Sequence, residues 1–160
     1  TFHLRDNIYW HDGVKTTEFP IVRDGILVAR HTSLGSITPN VGLYPDSRPD
    51  PLADYLSSLE RIAELTPRIA LPGHGDPIED PAGRARELIA HHQERLDRTA
   101  EALDGDPVSA YDVSLTLFPD PLPATLRRFA LAETRAHLEY LVRRDGAKRV
   151  DGEERVSYLA

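Results

Sequence analysis

Proline placement constrains this chain more than any other feature. The 160 residues include 13 prolines. A proline has no N–H and a locked φ, so a helix accepts it in the first turn and breaks around it elsewhere. Pro51 follows Asp50, a good N-cap. From there Leu52, Tyr55, Leu56, Leu59, Ile62 and Ala63 recur at helical spacing and give one apolar face. Pro67 closes that helix. Pro81 follows Asp80 in the same way and opens a second helix to about Leu103, with Leu88, Ile89, Leu96 and Leu103 as a thinner stripe. Gly105 and Pro107 stop it. Pro119, Pro121 and Pro123 make a turn, and a third long helix follows. Its inner side is read as Leu126, Phe129, Ala130, Leu138, Leu141 and Val142, with Gly146 as its C-terminal glycine.

Between and around these helices the sequence reads as strand and loop. Residues 1–34 hold two Asp-Gly pairs, Asp12-Gly13 and Asp24-Gly25, each between β-branched or aromatic residues, which predicts hairpins. Ile26-Leu27-Val28-Ala29 suits a strand covered on both faces. Residues 35–51 are rich in Pro, Gly, Ser and Asp, yet contain Ile37, Val41, Leu43 and Tyr44, so an ordered loop is expected rather than a tether. Arg68-Ile69-Ala70-Leu71 is a short strand. Ser109 with Asp112 forms a capping box for a short helix. The tail AKRVDGEERVSYLA predicts a hairpin with Asp151-Gly152 in its turn.

Composition excludes several chemistries. There is no cysteine, so disulfides, thiolate metal sites and cysteine nucleophiles are ruled out, and a metal must be held by His, Asp or Glu. The net charge of −7 argues against a general nucleic-acid or anionic-membrane binder. No apolar run approaches the ~20 residues of a membrane span, no secretory signal opens the chain, and a cytoplasmic location is expected. The sequence has no Gly-x-Ser-x-Gly elbow, no phosphate loop and no dinucleotide fingerprint.

The chemistry-bearing stretch is LPGHGDPIED, residues 71–80. His74 stands between two glycines directly after a buried strand, and the carboxyl ends of strands are where α/β proteins build sites. Neutral imidazole is a common ligand for zinc, manganese or iron, but one imidazole does not make a metal site. Asp76, Glu79 and Asp80 can serve His74 as outer partners, although Asp80-Pro81 is explained by helix-start chemistry alone.

SITPNVGLYPDSRPDPLADYLSSLERIAEL, then ALPGHGDPIEDP and ELIAHHQERLD, resemble the C-terminal half of metallo-β-lactamase-fold hydrolases. The subgroup most similar holds mitochondrial endoribonuclease-like, thioesterase-like and glyoxalase-II-like proteins. VSAYDVSLTLFP and LRRFALAETRAHLEYLVRRDGAKRV look like the small winged-helix-like C-terminal domain of that subgroup. The resemblance runs from about Leu27 to Ala160. It implies an α/β fold, a partial αββα sandwich over residues 1–104 including a linking helix, with a winged-helix-like domain over 105–160. It also implies a site for two divalent metals, zinc in the family, with His74 as a ligand of the second. A bridged hydroxide between two such ions attacks a polarised carbonyl or phosphoryl group.

The rest of that ligand pattern is missing. The His-x-His-x-Asp-His signature is absent among His3, His11, His31, His74, His91, His92 and His137. The position of the family's bridging aspartate holds His31, and an imidazole brings no charge to offset two dications. The sequence therefore predicts a hydrolase of the ester, thioester or RNA phosphodiester class represented by its C-terminal portion, binding metal weakly and inactive alone. A homo-oligomer or a separate N-terminal half is the expected partner that completes it. The other histidines read as structural: His91 and His92 point about 100° apart on a surface helix, His137 as structural or partly exposed, and His3 and His11 on hairpins.

The alternative reading is a non-catalytic binding module. The third helix and tail carry Arg127, Arg128, Arg135, Arg143, Arg144, Lys148 and Arg149 against Glu133, Glu139 and Asp145. On a winged-helix order this basic surface can touch nucleic-acid phosphates or a protein partner, with Arg143 and Arg144 as the expected contacts.

Overall fold

A computed structural model describes residues 8–9, 15–16, 21–23, 25–28, 39–72, 76–152 and 155–160. The element order is β1 (Ile8–Tyr9), β2 (Lys15–Thr16), β3 (Ile21–Arg23), β4 (Ile26–Val28), α1 (Pro51–Leu65), β5 (Ile69–Leu71), α2 (Pro81–Glu101), β6 (Val108–Ser109), α3 (Ala110–Leu117), α4 (Ala124–Val142), β7 (Lys148–Asp151) and β8 (Val156–Leu159). This is an α/β chain dominated by helices, as the sequence predicts. No helix among the described residues is long and apolar enough to cross a membrane.

The prolines fall where their chemistry allows. Asp50 and Asp80 each accept a hydrogen bond from the backbone N–H three residues on, Ala53 and Gly83, and proline occupies the first turn of both helices. Helix α1 stops before Pro67, with Thr66 in the left-handed region at φ 41°. Ser109 caps α3: its hydroxyl donates to the Asp112 carboxylate at 2.6 Å and accepts from the Asp112 N–H at 3.2 Å. At the end of α4 the left-handed residue is Asp145, φ 59°, and not Gly146. The Gly146 N–H still returns to the Leu141 carbonyl at 2.9 Å, so the turn closes one residue before the expected glycine.

Strands β3 and β4 pair antiparallel, Arg23 opposite Ile26, the hairpin expected at Asp24-Gly25; Gly25 has φ 77°, and Asp24 lies outside the described residues. Strands β1 and β2 pair Ile8 with Thr16 and Tyr9 with Lys15; Asp12-Gly13 lies outside the described residues. Strand β5 joins β4 in parallel through α1, Leu27 opposite Ala70. Around Leu27 and Ala70 the first core gathers Val41, Leu52, Tyr55, Leu59, Ala85, Leu88, Leu96 and Ala136.

A second core holds Leu103, Val113, Leu117, Leu138, Ala147 and Tyr158. It sits between α3, α4 and a sheet in the order β6-β8-β7, in which β7 and β8 form the predicted tail hairpin. Arg127 fastens the end of α3, donating to the carbonyls of Ser114, Phe118 and Asp120 at 3.0–3.1 Å. Glu139 is buried but satisfied: it accepts from the Tyr158 hydroxyl at 2.8 Å and from Arg149 at 3.1 Å.

Helix α4 corrects the sequence reading. Leu126 and Phe129 are 49% and 45% exposed, so the first turns do not point inward. The buried positions are Ala130, Ala132, Thr134, Ala136, His137, Leu138 and Glu139, which encircle much of the helix. The reason is that α4 serves both cores: Ala136 lies in the first, Leu138 in the second, and Leu141 packs against both.

Asp50 ties the two cores at the start of α1, capping the helix with one oxygen and pairing with Arg144 at 2.9 Å through the other. Because the pair is partly exposed, its charge contributes little, ~0–1 kcal/mol. Asp50→Asn, which keeps a cap acceptor, is expected to cost no more than that in urea unfolding. Asp50→Ala is expected to cost about 1 kcal/mol more.

Candidate functional site

His74 belongs to the connection that leaves β5. Across the base of this connection Ala70 and Ile78 exchange both backbone hydrogen bonds, 2.8 and 2.9 Å, pinning its two ends together directly before the Asp80 cap of α2. His74 itself and His31 lie outside the described residues, so the two predicted metal ligands receive no structural account. Among the described residues no group of three His, Asp or Glu side chains is placed to hold a metal ion. Asp76 and Glu79 are exposed.

The segment that follows the Ser-Ile-Thr-Pro run is held by α4. The Asn40 amide donates to the Glu133 carboxylate at 2.8 Å and to the Phe129 carbonyl at 3.1 Å. The Leu43 N–H donates to the Ala132 carbonyl at 2.9 Å, and the Tyr44 hydroxyl to the Asn40 side-chain oxygen at 3.3 Å. A Cβ on Gly42 would stand 2.6 Å from the Tyr44 ring and 3.0 Å from the Ala132 Cβ. Residues 40–44 therefore lie against the helix at a separation that only glycine and alanine permit. Burial raises the pKa of the Glu133 carboxyl, while Arg95 and the Asn40 hydrogen bond lower it.

The most buried polar group here was missed by the sequence reading. His92 is not on a surface face: its exposure is 0%, as is that of His137. The rings stack with centroids 5.3 Å apart, His92 Nδ1 lies 3.2 Å from His137 Nε2, and His137 Nδ1 lies 2.8 Å from the Glu133 carbonyl. The Tyr55 ring meets His92 edge-on at 5.4 Å. The signal was present, since Leu88, His92 and Leu96 repeat every fourth residue and place His92 on the apolar stripe. Adjacency to His91 obscured it. Three of the four imidazole nitrogens are turned to one another and to a carbonyl, which leaves only His92 Nε2, too few donors to hold a metal.

The basic surface is also reduced. Arg144 lies over the Tyr140 ring, 3.5 Å from its centroid, and is paired with Asp50. Arg149 is committed to Glu139 and Asp151, and Arg127 to the end of α3. Arg128, Arg135, Arg143 and Lys148 are exposed.

Comparison with known proteins shows what this arrangement resembles. Residues 96–158 match the family model described as "Metallo-beta-lactamase-like, C-terminal domain". A crystal structure of metallo-beta-lactamase family protein TTHA1429 from Thermus thermophilus is 44% identical and superposes with a TM-score of 0.71. The chain is similar to the C-terminal part of metallo-β-lactamase-like proteins. The alignment to TTHA1429 covers 85% of this chain and 42% of that one. A beta-lactamase domain protein from Burkholderia ambifaria is 31% identical, with a TM-score of 0.76, over 85% of this chain and 41% of its own. Among curated relatives, the probable metallo-hydrolase YqjP of Bacillus subtilis is 34% identical over 60% of this chain and 30% of that protein. The Beta-lactamase-like protein 2 homolog of Drosophila melanogaster is 30% identical over 62% and 34%. The chain thus spans about a third of these two curated relatives, and its similarity to metallo-β-lactamase-like proteins falls on their C-terminal part.

Two outcomes follow from the site. Gly42→Ala is expected to cost about 1–3 kcal/mol, as overpacking does, measured by urea unfolding. The histidine pair makes stability fall in acid. Burial and neighbouring positive charge push His92 down to about 3, and burial pushes His137 down to about 4, from 6.5. Below pH 6.5 the unfolded chain binds protons that the folded chain refuses, so stability present at neutral pH is lost as pH drops toward 3. Glu133, raised by burial, acts in the opposite direction and softens the slope. Urea midpoints measured from pH 7 to pH 4 are expected to fall steeply in the native chain. They should fall less in a His92→Phe, His137→Leu double variant.

Proposed function

We propose that this chain is the C-terminal part of a metal-dependent hydrolase acting on esters, thioesters or RNA phosphodiesters, with zinc as its metal and His74 as one ligand. The observation that carries the reading is the family match over the chain, together with a histidine in a Gly-His-Gly step whose connection is pinned at its base by Ala70 and Ile78. In this reading residues 1–104 contribute to the metallo-β-lactamase sandwich, and residues 105–160 form a winged-helix-like unit. The order β6-α3-α4-β7-β8, with β8 central in its sheet, supports the second assignment.

The described residues do not fit a dinuclear metal site, and the sequence has no His-x-His-x-Asp-His. The chain alone is therefore inactive, and the remaining ligands come from another segment or copy. What this chain supplies is the His74 connection, closed at its base by Ala70 and Ile78, and the Asn40 segment, which α4 holds.

A second reading, a nucleic-acid-binding module, is favoured by the exposed Arg128, Arg135, Arg143 and Lys148. It is weakened by α4. In a winged-helix order this is the helix that would enter a groove, yet it is packed against residues 40–44 and its Arg144 is paired with Asp50.

Elemental analysis and turnover assays separate the readings. The purified chain is expected to carry well under one zinc or manganese per molecule and to turn over neither a thioester nor RNA, and His74→Ala is expected to remove the residual metal affinity. Stoichiometric metal with turnover would overturn inactivity of the chain alone. A gel shift lost at raised salt and on Arg143→Ala would favour the nucleic-acid module.

A further inference from the structure

Helix α2 buries two polar atoms that have no hydrogen-bond partner among the described residues, Nε2 of His92 and Nη1 of Arg95. They sit three residues apart, hence on neighbouring positions of one helix face. Both side chains point away from α2 toward its partners: His92 onto His137 of α4, Arg95 over the Phe118 ring at the end of α3, 4.4 Å from its centroid.

The hydrogen-bond geometry determines what each atom offers. The Glu133 carbonyl can only accept, so the His137 Nδ1 that lies 2.8 Å from it carries the proton. The Nε2 of a neutral His137 is then a lone pair. It lies 3.2 Å from His92 Nδ1, which therefore donates. His92 Nε2 is left as a bare acceptor, and Arg95 Nη1 is always a donor. A buried acceptor and a buried donor that remain unmet both carry their full desolvation penalty.

We propose that the seam between α2 and α4 is a binding site for one neutral molecule that both donates and accepts a hydrogen bond, a single water that donates to His92 Nε2 and accepts from Arg95 Nη1. Charge selects against the alternatives. A cation is repelled by the Arg95 guanidinium. An anion meets the lone pair of His92, and the Glu133 carboxylate already faces this seam and feels Arg95. The two side chains stand one turn apart on the same face of α2, and the charge of Arg95 reaches both His92 and His137. The other titratable neighbours are Tyr55 from α1, edge-on to His92, and His91 from α2, also edge-on at 5.3 Å. With the water in place, one run of hydrogen bonds passes from the Glu133 carbonyl through His137 and His92 to Arg95, joining α4 and α2, while the Glu133 carboxylate separately holds Asn40. The site stands apart from the hydrolase reading and does not depend on it.

Two measurements on the full chain at neutral pH test the site. In a crystal structure, a solvent peak is expected within hydrogen-bonding distance of both His92 Nε2 and Arg95 Nη1, with no anomalous peak there after a bromide soak. It should be lost in His92→Phe. In long-range ¹H–¹⁵N spectra of the native chain, both His92 and His137 are expected as Nδ1–H tautomers, with a water cross-peak at the His92 ring. A bromide peak, an empty seam, a protein group on either atom, or a proton on His92 Nε2 would overturn the proposal. The spectra decide the tautomers even where the variant fails to fold.

Discussion

Helix α4 is packed on two sides, and the rest of the described structure is arranged around that demand. One side completes the core of β6-β8-β7 and α3 through Leu138. The other receives residues 40–44, α1 and α2, with Ala136 in the first core. A helix approached closely on both sides carries small side chains at several contacts: Ala130, Ala132, Thr134 and Ala136 are buried beside His137 and Leu138, while Leu126 and Phe129 stand outside. The close approach also brings backbone to backbone: the Leu43 N–H reaches the Ala132 carbonyl, a bond that a larger residue at either Gly42 or Ala132 would prevent.

Close packing of this kind leaves polar groups inside, and the same seam deals with them in pairs. Glu133 is offset by Asn40, Glu139 by Tyr158 and Arg149, and His92 by His137. Each is an exchange of a hydration shell for a directed partner, and each fixes register in a way that apolar packing alone does not. The cost is sensitivity to proton concentration, because the two imidazoles satisfy one another only while both are neutral.

This arrangement bears on function through what it immobilises. The Asn40 segment and the connection bearing His74 are the parts of the chain nearest to metallo-β-lactamase chemistry in sequence. The first is clamped to α4, and the second is closed at its base by the Ala70–Ile78 bridge. Three of the six arginines that would suit a phosphate-binding surface are spent on internal duties: Arg127 on the end of α3, Arg144 on Asp50, Arg149 on Glu139. The unit of β6, α3, α4, β7 and β8 thus serves here as an internal brace.

Local chemistry was legible from the sequence alone. Helix starts at Asp50-Pro51 and Asp80-Pro81, the Ser109–Asp112 cap, the Asp24-Gly25 turn and the tail hairpin all rest on interactions within a few residues, so each could be read where it stands. The resemblance to metallo-β-lactamase-fold proteins was legible too, because its motifs are contiguous. What the sequence could not supply was the second neighbour of α4. Periodicity reports one buried face, and it put Leu126 and Phe129 inside on the assumption that the largest apolar residues mark that face. Only the tertiary structure shows two partners pressing on the helix, which favours alanine over leucine at the contacts and turns His92 and His137, 45 residues apart, into one buried pair.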